Sequence, residues 1–423
     1  MGDCTELRRI TEVLNEFNIN KIGNSSRFCK RQRTVKPFEL VMSLITGLGD
    51  KSVDSIADLH RYFVSLSHVD VQYKPFHKQL CKPEFVGFMK QLIGMTMLRL
   101  QQQVLGTTDH LSCFKKVLVQ DGSSFAVHDS LQEHFKGRFT TVSPAAVELH
   151  VTWDILQSTP EAIQLAPDHK AEYDYLPDAS SMHGCLFMGD RGYFKLSYFD
   201  GIDDNGGSYL VRAKTTFNPD IEAGFNINGK RLKRFQGKTL QQLKKYIRRS
   251  RVVDMDVTRK SKSYRLIASW PADKSEPTYW ITNLGREQFD ANSVIKLYRL
   301  RWQIELLFKE WKSWNNLRKF NTGKKEIMEG LIWASLLSLL VKRSIAFSTE
   351  SLKQVEISTF MVAKNTQGWF YPLMESILQQ MPHDIKTTWY WAVEHLSRYA
   401  KRASPLKDRQ TGRLQYGVEP AIS

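Results

Sequence analysis

Apolar residues recur at three and four positions through the first hundred residues, with Leu7, Ile10, Val13, Leu14 and Phe17 on one face. Pro37-Phe38-Glu39 reads as a helix start and leads into an apolar run to Leu48. Residues 52–63 open with cap-type side chains and return to helical spacing. This predicts a helical N-terminal region over 1–111, a candidate DNA-binding region. It accommodates a helix-turn-helix and equally an ordinary helical lobe. From Lys116 the period changes. KVLVQDGSSFAV is a β-branched run that ends in Asp121-Gly-Ser, and 147–155 and 162–166 are two further strands. A helix near 170–176, a strand CLFMG ending at Asp190 and a strand over 208–213 complete a mixed α/β pattern for 112–213. Strand-like pieces RVVDMDVT, SYRLIASW and TYWITNL mark 214–285 as a β-rich insertion. Residues 286–345 return to helix, and 346–423 are helical with a basic end at Lys401, Arg402, Lys407, Arg409 and Arg413. The longest apolar stretch, 331–341, is about half the roughly 20 residues a bilayer span needs, so it reads as a buried helix.

Charge changes this picture more than composition does. The chain has 423 residues, 42% hydrophobic and 25% charged, which excludes a disordered or fibrous chain. Its 60 Lys+Arg against 44 Asp+Glu leave +16, pointing to a polyanionic partner: nucleic acid first, an anionic membrane surface second. Between Asn228 and Arg265 fourteen bases stand against only Asp254 and Asp256, so twelve of the sixteen net charges fall in that insertion. Solvated faces normally mix signs, so this run, densest at Lys244, Lys245, Arg248 and Arg249, is expected to contact DNA. The cysteines at 4, 29, 81, 113 and 185 have neither zinc-ligand nor disulfide-framework spacing, as fits a reducing cytosol. The N-terminus lacks an apolar signal core.

The candidate chemistry is carboxylate chemistry. On a helix over 298–312, Tyr298, Arg301, Glu305 and Lys312 share an arc of about 60°, while Leu300, Ile304, Leu307 and Trp311 lie opposite. Alone, that pattern is an amphipathic surface helix with Glu–Lys pairing. Asp121 and Asp190 alter the weighting, because each ends a strand that otherwise reads as buried, and an unpartnered carboxylate there is costly. Two such strand ends and the Glu305 helix can converge in a mixed sheet. Three convergent carboxylates need a cation, and hard oxygen donors without a Cys/His cluster select Mg²⁺ or Mn²⁺. Two such ions about 4 Å apart support phosphodiester cleavage.

The spacing Tyr298-x₂-Arg301-x₃-Glu305-x₆-Lys312 resembles the signature of the insertion-sequence-four family of bacterial DDE transposases. Asp121-Gly-Ser resembles its first aspartate motif, and Gly189-Asp190-Arg191-Gly192-Tyr193 its second. The similarity covers roughly 112–345. It implies a ribonuclease-H-like catalytic core interrupted by a β-rich insertion and flanked by helical N- and C-terminal regions. It implies Asp121, Asp190 and Glu305 as catalytic ligands of two Mg²⁺ ions, with Mn²⁺ able to substitute. Tyr298, Arg301 and Lys312 are implied as contacts to DNA phosphate, and Trp280, rather than Trp270, as a base-stacking surface in hairpin-mediated excision. Binding of terminal inverted repeats, strand transfer into target DNA, a homodimer on double-stranded DNA, and a bacterial cytoplasmic, nucleoid-associated setting follow from the same resemblance. A decayed DNA-binding protein and a stand-alone Mg²⁺-dependent nuclease are the competing readings.

Overall fold

The computed structural model describes residues 2–31, 34–99, 111–315 and 322–402. The C-terminal Lys407, Arg409 and Arg413 lie outside these residues. Six helices come first: α1 (Gly2–Val13), α2 (Glu16–Ser25), α3 (Pro37–Gly49), α4 (Ile56–Ser67), α5 (Tyr73–Leu80) and α6 (Pro83–Arg99). Their starts follow local chemistry. Asn15 accepts from the Asn18 N–H to cap α2, Pro37 opens α3, and Ser55 accepts from the Asp58 N–H to cap α4.

β1 (Lys116–Ala126), β2 (Ala146–Asp154) and β3 (Thr159–Pro167) form an antiparallel meander. β4 (Cys185–Gly189) then pairs parallel with β1. β5 (Ser208–Arg212), reached through α7 (Leu196–Asp204), pairs parallel with β4. The order 3-2-1-4-5 is that of a ribonuclease-H-like core. The next segment holds β6 (Asp220–Asn226), β7 (Lys238–Thr239), α8 (Lys244–Ser250), β8 (Val252–Arg259), β9 (Lys262–Ser269) and β10 (Thr278–Thr282). Its strands do not form a sheet of their own. β10 pairs antiparallel with β5, and β9, β8, β6 and β7 follow, so one ten-stranded sheet runs through the molecule. The charge count of this segment also needs correcting. Twelve of its fourteen bases are exposed, but Arg265 is buried and holds Asp254 bidentately, with Arg286 bound to Asp254 and Asp256. Asp254 therefore balances a buried guanidinium and does not dilute the surface charge, whereas Asp256 and its partner Arg286 are partly exposed.

Alternation along the central strands divides the interior. Val117, Val119, Leu186 and Met188 face a core shared with the helices, while Leu118 and Phe187 face a second core with Tyr193, Phe199 and the insertion's Val253 and Leu266. The chain ends in α9 (Ala291–Tyr298), α10 (Trp302–Trp314), α11 (Lys325–Lys353), α12 (Thr359–Lys364), α13 (Phe370–Gln379) and α14 (Pro382–Tyr399). α11 has 29 residues, far more than the apolar run that predicted it. It is long and apolar enough to cross a membrane, yet its apolar window is wholly buried in the fold. α3 and α6 from the N-terminal side and α10, α12 and α14 from the C-terminal side pack against it. Even its charged Lys342 is buried, donating to the Gly49 and Trp314 carbonyls, and desolvation holds that ammonium down to about 7.

Candidate active site

Asp121 is not at the end of its strand. β1 continues five residues further, because its antiparallel pairing with β2 persists to Ala126↔Ala146. What stops nearby is β4, whose pairing with β1 is last seen at Val119↔Met188. Asp121 therefore sits where the sheet opens on one side, on the Val117–Val119 face. Asp190 follows the last residue of β4 and caps a single 3₁₀ turn over Arg191–Tyr193, its Oδ1 accepting from the Gly192 N–H at 2.7 Å.

The signature segment is not one continuous α-helix. α9 ends at Tyr298, a 3₁₀ turn spans Arg299–Arg301, and α10 starts at Trp302. The break separates the roles of the polar stripe. The Tyr298 hydroxyl donates to the Gly189 carbonyl at 3.1 Å, fastening the helix to the tip of β4. Arg301 donates to Asp121 Oδ2 at 3.3 Å and to Glu305 Oε1. Lys312 donates from Nζ to the Ser124 carbonyl at 2.9 Å. Ile304, Leu307 and Trp311 hold the other side of α10 in the core. Asp190 and Glu305 thus lie near enough to Asp121 to act on its charge, with Arg301 between Asp121 and Glu305. Burial pushes Asp121 up to about 7; Arg301 opposes the shift, and Asp190 and Glu305 add to it. Burial likewise pushes the Tyr298 phenol up to about 12.

The donor set suits a hard divalent cation: three carboxylates, one of them short of counter-charge. Among the described residues, however, no three Asp, Glu, His or Cys side chains close on a common point. The Arg301 guanidinium stands between Asp121 and Glu305.

Trp280, the expected stacking surface, is buried. It is 7% exposed, lies between β5 and β9, and meets the Tyr298 ring edge-on at 5.9 Å. Trp270 is buried too, beneath α8, with Lys244 and Arg248 over its ring. The aromatic that the structure does expose here is Trp302, 44% accessible and next to Arg301, which the sequence reading passed over. On α8, Lys244, Lys245, Arg248 and Arg249 are all exposed, with Lys244 also paired to Glu276 at 2.6 Å.

A polar layer behind the aspartates was also missed. β2 is buried at every position, yet Glu148, His150, Thr152 and Asp154 alternate along it. Such alternation ordinarily marks a solvent face, and here it marks a covered one. A Cβ at Gly122 would lie 2.6 Å from Glu148 Oε1, and one at Gly192 would lie 1.6 Å from Glu172 Oε2. Each aspartate motif carries glycine where a glutamate closes in from behind. Burial pushes Glu148 up to about 7, with Glu172 reinforcing it, and holds His150 down to about 4. The imidazole is neutral at pH 7, so its 3.5 Å approach to Glu148 is not an ion pair. The folded pKa of Glu148 is raised, so ionising it costs stability as pH climbs from about 4.5 through about 7. Glu148→Gln has no charge to bury. It is expected to melt above wild type at pH 8 and level with it near pH 4 by circular dichroism. A variant less stable at pH 8 would contradict this.

Comparison with known proteins agrees with the geometry. The transposase DDE domain profile matches residues 112–341. The transposase for insertion sequence element IS1151 of Clostridium perfringens is 22% identical over 416 residues, covering 88% of each chain. The transposase for insertion sequence element IS231F of Bacillus thuringiensis subsp. israelensis is 24% identical over 415 residues, covering 88% of this chain and 86% of that one. A cryo-EM structure of the piggyBac transposase synaptic complex with hairpin DNA overlays 95% of this chain and 86% of that one, with a TM-score of 0.46 and 10% identity. With more than half its length inside that domain and nearly all of it aligned to insertion-sequence transposases, the chain belongs to the DDE transposase family, in its insertion-sequence-four branch, as a divalent-metal-dependent enzyme that cuts and joins DNA.

Proposed function

We propose that this transposase binds the terminal inverted repeats of its element as a homodimer, excises the element through a hairpin on each end, and joins it to target DNA. The observation that carries this reading is the nearness of Asp190 and Glu305 to Asp121, with Arg301 between Asp121 and Glu305 and Lys312 anchored on the Ser124 carbonyl. Asp121, Asp190 and Glu305 would hold two Mg²⁺ ions, which when bound activate the attacking oxygen and stabilise the leaving 3′ oxygen. The chain's own part is orientation. The Tyr298–Gly189 hydrogen bond fixes the end of α9, and so the turn that leads into α10, against the tip of β4. Lys312, anchored on the Ser124 carbonyl, and Arg301 offer positive charge to the phosphate at the cut. Residues 1–111 would grip the repeat, and the exposed face of α8 would track the backbone. The setting is the bacterial cytoplasm, at the nucleoid.

The test is a labelled transposon-end duplex incubated with protein and Mg²⁺ and run on a denaturing gel. A product twice the length of the element-side strand is expected, from attack of the freed 3′ hydroxyl on the opposite strand with release of the flanking DNA. Cutting of both strands without that product would remove the hairpin step. A turn this sharp strains the terminal base pair, and a flipped base stacked on an aromatic gains roughly 1–3 kcal/mol. Trp302→Ala is therefore expected to keep first-strand nicking and to lower hairpin yield about ten- to hundredfold. Trp280→Ala should instead lower the melting temperature. Normal hairpin formation by a folded Trp302→Ala protein would exclude it as the stacking surface.

Binding should also weaken steeply with salt, each neutralised phosphate adding about −0.9 to the log–log slope. Replacing Lys244, Lys245, Arg248 and Arg249 by alanine should flatten that slope without unfolding the chain. An unchanged slope would make α8 a merely solvated surface.

A further inference from the structure

Arg301 holds an unusual place for a residue assigned to grip DNA. Its side chain is 16% exposed, wedged between Asp121 Oδ2 and Glu305 Oε1, with its centre 5.8 Å from the Tyr298 ring. Its Nε is buried without a partner. The 3₁₀ turn at Arg299–Arg301 sets it one turn ahead of Glu305, and the rigid β1 sets it against Asp121. A guanidinium spans two carboxylates with two separate N–H groups, whereas a divalent cation draws oxygens to about 2.1 Å from a single centre. Both cannot occupy the gap between Asp121 and Glu305.

We propose that Arg301 is a resident counter-ion, a positioning residue that occupies the divalent-cation site of the DNA-free enzyme and releases Asp121 and Glu305 when a DNA phosphate takes the guanidinium. This rests on the assignment of Asp121, Asp190 and Glu305 as metal ligands. Its consequence is linkage. A ligand that draws Arg301 away favours the cation, and by reciprocity the cation favours DNA. Idle enzyme then holds little metal at the cutting site, and the charged carboxylates stay neutralised without it. Asp190 stands outside the clasp, its Oδ1 accepting from the Gly192 N–H.

Mn²⁺ binding to the full-length, DNA-free chain, followed by the paramagnetic resonance of free Mn²⁺, tests this without relying on cleavage. Arg301→Ala and Arg301→Gln are each expected to bind Mn²⁺ at least about tenfold more tightly than wild type. Arg301→Lys, which keeps the charge, should bind no more tightly than wild type. Two alternatives make the result informative should one variant fold poorly, and thermal melting identifies a misfolded one. Asp190→Asn introduced into Arg301→Ala separates the two readings. If it leaves Mn²⁺ bound, the assignment of the three carboxylates as ligands fails. If it removes the ion while folded Arg301→Ala and Arg301→Gln bind no more tightly than wild type, the ligand assignment stands and the counter-ion role is overturned. Equal tightening by the lysine and alanine variants would also overturn it, because charge would then not be the cause.

Discussion

Asp121→Asn, Asp190→Asn and Glu305→Gln are each expected to lower strand cleavage by at least about a thousandfold, some 4 kcal/mol of barrier, with end binding in Ca²⁺ nearly unchanged. The separation follows from where the charges lie. On the proposed reading, affinity draws on the exposed bases of the insertion, whereas the three carboxylates repel phosphate and serve the chemical step. None of the three substitutions should lose stability, which distinguishes loss of chemistry from loss of fold. Asp121 is buried, pushed up to about 7, and repelled by Asp190 and Glu305, so Asp121→Asn should melt no lower than wild type. Asn caps a helical turn as well as Asp does, so Asp190→Asn keeps the Gly192 contact and the fold. Glu305→Gln retains an acceptor for Arg301. Cleavage at the wild-type rate by any one of the three, measured on labelled end duplex in Mg²⁺, would remove that residue from the site.

How far the sequence could be read depended on whether a feature was local. The strands of the core were legible because β-branched runs of period two end in turn residues, and α10 because its apolar stripe is one-sided. Extents were less legible. β1 outruns Asp121 because its partner β2 continues, a fact of pairing and not of the strand's own composition. α11 is longer than its apolar run because Lys342, Arg343 and Glu350 are buried by packing from both ends of the chain. Side-chain fate was the least legible. Arg265 and Asp254 look like surface charges until the ten-stranded sheet closes over them, and Trp280 looks available until α9 lays Tyr298 against it. Trp302 was hidden by its type: between Arg301 and Gln303 it reads as one more aromatic on a helix, although the helical period places it beside the polar stripe and opposite Ile304, Leu307 and Trp311, where it is exposed.

The largest stability effect is expected behind α10. Glu310 lies five residues beyond Glu305 on the same helix and is 1% exposed. Its Oε2 accepts from Arg343 of α11 at 2.5 Å, and its Oε1 accepts from the Thr359 hydroxyl of α12 at 2.6 Å. Arg343 also reaches Ser158, in the turn between β2 and β3, and lies over the rings of Trp153 and Phe347. One buried pair thus ties the helix that carries Glu305 to the sheet, to α11 and to α12. Taking either partner away leaves an uncompensated charge in a place water does not reach, which costs about 3–5 kcal/mol. Glu310→Ala and Arg343→Ala should each lose that much in chemical denaturation. Both should lower cleavage although neither residue faces DNA, since α10 then loses its rear support. An apolar replacement of both, Glu310→Leu with Arg343→Met, leaves no charge to strand and is expected to recover most of the loss, a coupling that a double-mutant cycle measures directly. If the double variant is as unstable as the two single losses added together, the pair is not acting as a unit. The anchoring of α10 would then have to come from Ile304, Leu307 and Trp311 alone.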